Sequence, residues 1–220
     1  MRELVDSIAD CFAVGARHEL LVARVRGLLS VLLKTPPAVP AAWHPLGFIH
    51  FSLGEVRRGD KLRLHVWPRM HRRTQEPPLP IHDHIFDLES EVLAGSLLNR
   101  FFSVEGDTAT PTHRVFEVLY DGDVSALRAT EQTAQCQQIS ERLFVSGDRY
   151  RVARGAYHAT EVADSEFAAT VVLTTAISDR APLVLGPLSG PGTYRYRRQL
   201  CSPSEVEEAL KSVDAALAGR

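Results

Sequence analysis

Three histidines stand out by type and spacing. His82 and His84 sit at i and i+2 in Pro80-Ile81-His82-Asp83-His84. In extended backbone that spacing puts both rings on one face, a few ångströms apart. The third, His158, ends the run Gly147-Asp148-Arg149-Tyr150-Arg151-Val152-Ala153-Arg154-Gly155-Ala156-Tyr157-His158. That run reads as a strand that turns at a glycine and delivers an imidazole. Three neutral imidazoles aimed at one point hold a divalent transition metal. If the two segments meet in space, the chain has a metal site of the kind enzymes use.

The elements that must bring them together are short strands. From Leu46 onward, Gly47 to Leu53, Lys61 to Trp67, Ile81 to Phe86, Glu91 to Val104, His113 to Tyr120, Gln138 to Val145, Tyr150 to Val152, Ala159 to Val162 and Phe167 to Thr175 all have strand character. Asp121-Gly122-Asp123 and Ser146-Gly147-Asp148 are among the turns between them. Many short strands with regular turns predict a closed antiparallel barrel or a sandwich.

Helices flank this part. Residues 2 to 34 carry apolar residues near helical spacing, among them Leu4, Ile8, Phe12, Leu21, Val25 and Leu28, with Gly15 a candidate divider. Thr35 to Pro40 is proline-rich and reads as a linker. Near the end, Ser202-Pro203-Ser204-Glu205 is a capping box that opens a helix with Val206, Leu210, Val213 and Leu217 as its stripe. The expected organisation is a helical segment over 1–40, a β-barrel over 41–180 and an extension with a helix over 181–220.

Composition narrows the function. A chain of 220 residues with 45% apolar content can bury a sizeable core. A net charge of −2 argues against a dedicated nucleic-acid binder, and the Tyr194-Arg195-Tyr196-Arg197-Arg198 cluster is expected as a solvated loop. Cys11, Cys136 and Cys201 are isolated and form no CxxC pattern, which points to a reducing cytoplasm. The acidic start, Met1 to Asp6, does not read as a signal peptide, and Leu28 to Leu33 is too short to span a bilayer. The expectation is a cytoplasmic protein with no membrane partner.

The two histidine segments resemble the cupin superfamily. Its second motif has the form G-x5-P-x-G-x2-H-x3-N. Gly147, Ala153, Gly155, His158 and Val162 fall on those five positions, with Ala153 replacing proline and Val162 replacing asparagine. Its first motif, G-x5-H-x-H-x3–4-E-x6-G, is met by His82, His84 and Gly95, while Glu76 stands at the first glycine. The resemblance covers about residues 45 to 177. It implies an all-β core: a jelly-roll β-barrel with the N-terminal and C-terminal helices packed around it, and a homodimer.

The acidic ligand is open at this point. Counting forward from His84, Glu89 is at a permitted spacing; counting back from Gly95, the slot falls on Leu88; Asp87 is a third candidate. The site is therefore His82, His84 and His158 with Glu89, or the three histidines alone. Three-histidine iron sites occur in thiol dioxygenases, which are also cupins. The resemblance thus implies Fe(II), with Zn, Mn or Ni as alternatives, and a dioxygenase that takes dioxygen and a small carboxylate- or thiol-bearing substrate. A metal-dependent isomerase, lyase or hydrolase on the same barrel is a second reading, and a non-catalytic small-molecule binder a third.

Substrate contacts are sought on the strands near the metal. Leu62, Leu64 and Val66 alternate with Arg63, His65 and Trp67, so one face of that strand is polar. In a barrel a polar inward face lines a cavity, which makes Arg63 and His65 candidates, as against a face turned to solvent. Arg69 and Arg100 could likewise hold a carboxylate, and Phe86 offers an aromatic wall. Tyr157, beside His158, either lines the metal pocket with a catalytic role or packs in the core. Glu89 and Arg63 complete the catalytic candidates. Asp83 and Asp87 flank the ligand pair and could orient an imidazole.

Overall fold

The periodicities of the two ends fold as expected. A computed structural model describes residues 1–34, 39–56, 59–106 and 108–219. Most of the proline-rich linker lies outside the described residues. The N-terminal stretch forms α1 (Arg2–Ala13) and α2 (His18–Leu32). Gly15 separates them at φ 61°, a left-handed conformation that suits glycine. In α3 (Pro203–Ala218) the capping box is closed in both directions. Ser202 Oγ accepts from the Glu205 amide at 3.3 Å, and the Glu205 carboxylate accepts from the Ser202 amide at 2.7 Å. No helix among the described residues is long and apolar enough to cross a membrane.

The middle of the chain makes two antiparallel sheets. The first runs β1 (Ala41–Trp43), β2 (Ile49–Glu55), β3 (Lys61–Trp67), β10 (Ala168–Thr175), β4 (Asp87–Ala94) and β8 (Arg149–Val152), in that spatial order. The second runs β11 (Leu183–Gly186), β6 (His113–Asp121), β7 (Val124–Val145), β5 (Ser96–Gly106) and β9 (Tyr157–Glu161), with β12 (Thr193–Arg197) also paired to β7. The pairing does not close into a barrel. The sheets instead face each other as a sandwich and meet through side chains, with Trp67, Leu88 and Val172 of one against Leu97 and Phe144 of the other. Beyond position 180, β11 and β12 extend the second sheet, so the basic tyrosine cluster is a strand rather than a solvated loop.

Alternation in each strand divides the first sheet into two working faces. Ile49, Phe51, Leu62, Leu64, Val66, Leu93, Val171 and Leu173 point outward and pack under the helices. Each fully buried leucine there contributes about 1.5–3 kcal/mol. The helices are also fixed by charge. Glu91, 1% exposed, accepts from His18 Nδ1 of α2 at 2.7 Å and from Arg149 Nε. Arg149 in turn donates to the Ala16 carbonyl at 2.8 Å.

A single glycine sets the register on which the site depends. The stretch expected as one strand, Glu91 to Val104, is two strands broken at Gly95, where φ is 74°. A Cβ at Gly95 would stand 1.9 Å from the Phe167 carbonyl oxygen. The chain can therefore pass from one sheet to the other here only with glycine.

Candidate metal centre

His82, expected in a strand, lies in an extended segment held by isolated bridges on two sides, to His158 and to Val184. His82 and His158 exchange both backbone hydrogen bonds, N to O at 3.1 and 2.9 Å. That exchange brings two stretches more than seventy residues apart into direct contact. The i, i+2 rule then places His84 beside His82. The three ring centroids form a nearly equilateral triangle, with separations of 4.9 Å (82–84), 4.7 Å (82–158) and 5.0 Å (84–158).

The nitrogens are placed as ligands require. Among the described residues, His82, His84 and His158 form the one group whose potential ligand atoms all lie within 4.8 Å of one another. His84 Nε2 and His158 Nε2 are 2.9 Å apart. Two nitrogens each about 2.1 Å from an ion and at right angles to one another are about 3 Å apart, so this separation fits neighbouring positions around one metal. His158 Nδ1 donates to Asn99 Oδ1 at 2.9 Å, and His82 Nδ1 donates to the Pro80 carbonyl at 2.8 Å. Each donation fixes the tautomer and leaves Nε2 as a lone-pair donor.

Burial keeps the rings uncharged. It pushes His84 and His158 well below the ordinary histidine range, and neighbouring imidazoles add to the effect. His82 is lowered for the same first reason, partly offset by its Pro80 hydrogen bond and by Asp83. Neutral imidazole is the ligand-competent form.

Asp83 shows why the pair of histidines is presented so firmly. Its side chain points away from theirs and is 2% exposed. It accepts from the Leu183 amide at 2.7 Å and from Arg180 at 2.6 Å. Asp87 accepts from the Arg154 amide at 2.8 Å. Neither aspartate touches a ligand imidazole; the orienting role falls to Asn99 and the Pro80 carbonyl.

Glu89 is not brought to this centre. On β4 the side chains of Leu88 and Ser90 turn inward, while Glu89 and Glu91 turn outward. Glu89 pairs with Arg151 at 3.0 Å, its cross-strand neighbour. Counting back from Gly95 therefore gives the inward position, and it holds Leu88. A shift of one residue moves a strand side chain to the other face, which is why the forward count fails. Among the described residues, the centre is three imidazoles without a carboxylate.

Three other candidates also lie elsewhere. Tyr157 alternates with His158 and faces a separate cluster with Val115, Leu185 and Cys136; burial pushes its phenol up to about 12. Arg100 faces outward between Glu141 (2.6 Å) and Glu161 (2.5 Å). Arg69 lines a groove between the outer face of the first sheet and α3, beside Trp43 and Phe167.

Arg63, His65 and Phe86 do face the interior. Phe86 stacks on His84 with centroids 4.9 Å apart, and the Arg63 guanidinium lies 4.6 Å above the other part of this stack, the Phe86 ring. His65 sits among Phe48 (4.8 Å), His50 (5.4 Å) and Trp67 (6.1 Å). His44 stacks on Phe48 at 4.2 Å. Burial holds His44 and His65 well below the ordinary range and His50 at about 4. Among the described residues, this part of the interior thus gathers six neutral imidazoles and the Arg63 guanidinium.

Asn99 was missed from the sequence. It is fully buried on β5, where it shares the inward face with Leu97 and Phe101, and also receives the Thr160 hydroxyl at 3.3 Å. A lone amide at an inward position between two apolar ones was the available signal.

No protein-family model matches the sequence, and no curated protein matches it. Solved structures do show likeness. One is reported as crystal structures of the DMSP lyases RdDddP and RnDddQII, with 12% identity, 61% of this chain and 51% of that chain covered, and a TM-score of 0.34. A second is the polyketide cyclase RemF from Streptomyces resistomycificus, with 18% identity, coverage of 67% and 80%, and a TM-score of 0.37. A third is a cupin-like protein from Thermotoga maritima, with 13% identity, coverage of 74% and 84%, and a TM-score of 0.33. The chain spans about half the length of the lyase chain it matches. Overlap of this extent carries no argument about chemistry; the motif histidines and their geometry do.

Proposed function

We propose that this chain is a metal-dependent enzyme of the cupin type, a non-haem iron dioxygenase acting on a small carboxylate- or thiol-bearing molecule. The observation that supports it best is the convergence of His82, His84 and His158, with two of the rings locked as Nε2 donors. Those three residues would hold the ion. Iron(II) bound there would supply open positions for dioxygen and substrate side by side.

The chain's own residues do the rest. Asn99 and the Pro80 carbonyl keep two ligand rings in the required tautomer. Phe86, Trp67, Phe48 and Leu88 exclude water from one side of the site. Arg63 holds a guanidinium over the Phe86 ring, which also stacks on His84, and is assigned to orient a substrate carboxylate. A homodimer belongs to the same proposal and is tested by light scattering on the purified chain.

Elemental analysis of protein purified without added metal, followed by oxygen-electrode assays with small thiol and carboxylic acids, tests the reading. Iron content with substrate-dependent oxygen uptake supports it. Zinc with no oxygen uptake replaces it with a lyase, isomerase or hydrolase. Equal metal content in the parent and in His158→Ala overturns the metal centre itself.

A further inference from the structure

The two sheets do not end together. The first stops at β8, and on β7 of the second Ser140 and Arg142 are exposed although they lie on its inward face. Pairing fixes that face. Phe101 of β5 stands opposite His158 on one side and Ser140 on the other, and Asn99 stands opposite Thr160 and Arg142. Residues directly opposite one another point to the same side of a sheet. The row that begins at the ligand His158 therefore continues through Phe101 to Ser140, two strand spacings or about 10 Å away.

This overhang is one wall of a groove of about 630 Å³, the size of a small-molecule site. Phe101, Phe144 and Tyr150 line it with aromatic rings, and the Phe144 and Tyr150 rings, one from each sheet, are 4.7 Å apart. Phe101 also stands beside the metal centre, its ring 6.2 Å from that of His158. The charges around the groove are matched with one exception. Glu89 pairs with Arg151, Glu141 with Arg100 and Arg149 with Glu91. Arg142 has no carboxylate partner among the described residues; its guanidinium lies 4.7 Å over the Phe144 ring.

Aromatic walls beside one unmatched guanidinium complement an apolar body with an acid end. Arg63 does not line this groove, so Arg142 is a second and separate position for an acid group. We infer that the groove binds an apolar carboxylate, with its acid on Arg142 and its body along Phe144, Tyr150 and Phe101 towards His158. A span of about 10 Å matches one ring on a chain of a few carbons. That such a molecule is the substrate rests on the function proposed above; binding in the groove does not.

Phenylbutyrate carries both parts, butyrate only the acid and phenylbutanol only the body. Each is titrated calorimetrically into the full chain. Phenylbutyrate is expected to bind at least roughly tenfold more tightly than either of the others, the scale of one buried ring or one charge-assisted hydrogen bond. Arg142→Gln should lower phenylbutyrate affinity about tenfold and leave phenylbutanol unchanged, and Arg142→Lys should restore part of the loss. Ser140→Trp, at an exposed position, should fill the groove and block both. Equal affinity for phenylbutyrate and butyrate, an Arg142→Gln protein that binds phenylbutyrate as the parent does, or a loss that follows Arg63→Gln instead, overturns the groove. A dimer that Ser140→Trp breaks in light scattering also overturns it, because a second copy then covers the site. His158→Ala separates the two ideas: it should lose metal and keep phenylbutyrate binding. Metal without phenylbutyrate binding in the parent leaves the metalloenzyme standing and removes the groove; phenylbutyrate binding without metal does the reverse.

Discussion

Replacing Asn99 by alanine should weaken metal binding without touching a ligand. Asn99 Oδ1 is 2.9 Å from His158 Nδ1, and the side chain is fully buried. Its removal leaves an N–H in a place water cannot readily reach, at a cost of about 1–3 kcal/mol. The ring can escape that cost by carrying its proton on Nε2, but Nε2 is the ligand atom, 2.9 Å from its counterpart on His84. Either route opposes the metal-bound state. The expected loss is 10–100-fold in affinity, about 1.4–2.8 kcal/mol. The assay is competition for Zn²⁺ or Co²⁺ against a chromophoric chelator, with the stability of the metal-free protein measured separately by urea unfolding. Asn99→Asp is the control: it keeps an acceptor at the same point and forfeits no hydrogen bond, because Asn99 Nδ2 has no partner. It should bind metal at least as well as the parent to within a few-fold. Unchanged affinity in Asn99→Ala, or equal losses in both variants, would refute the reasoning.

Other expectations follow from neighbouring contacts. Glu89→Gln should keep full metal content by elemental analysis and lose at most about 1 kcal/mol of stability, since its Arg151 partner is 77% exposed; depleted metal would return Glu89 to the ligand set. Glu91→Gln should cost about 3–5 kcal/mol in urea unfolding, because it strands Arg149 and His18 around a buried site. Stability should fall in acid. Burial lowers His50 from 6.5 to about 4, so the unfolded chain binds the proton first as pH drops through 6.5, and up to about 3 kcal/mol is lost by pH 4. His50→Gln should flatten that part of the pH profile, and an unaltered profile would show that His50 is not buried as described.

Much of this could be read from spacing alone. Local rules with a short reach gave the helices, the break at Gly15, the capping box at Ser202 and most of the strands. The His82/His84 pair and the placing of His158 after Gly155 needed only the two-residue period of extended backbone and the motif register. The position of Leu88 was legible too, once the count was anchored at Gly95, whose glycine is forced by the Phe167 carbonyl.

The tertiary structure decided which side of each strand meets the other sheet. Alternation says that Arg63 and Leu64, Tyr157 and His158, or Glu89 and Ser90 point in opposite directions, but it does not say which direction is inward. That choice is made by packing: the helices cover one face of the first sheet, and the second sheet covers the other. It removed Glu89, Tyr157 and Arg100 from the centre and brought in Asn99, whose partners His158 and Thr160 lie on a strand far away in sequence. Long-range pairing also settled the architecture. Strand character is a local property, but whether two sheets close into a barrel or face each other as a sandwich depends on which edges find partners, and no residue carries that information by itself.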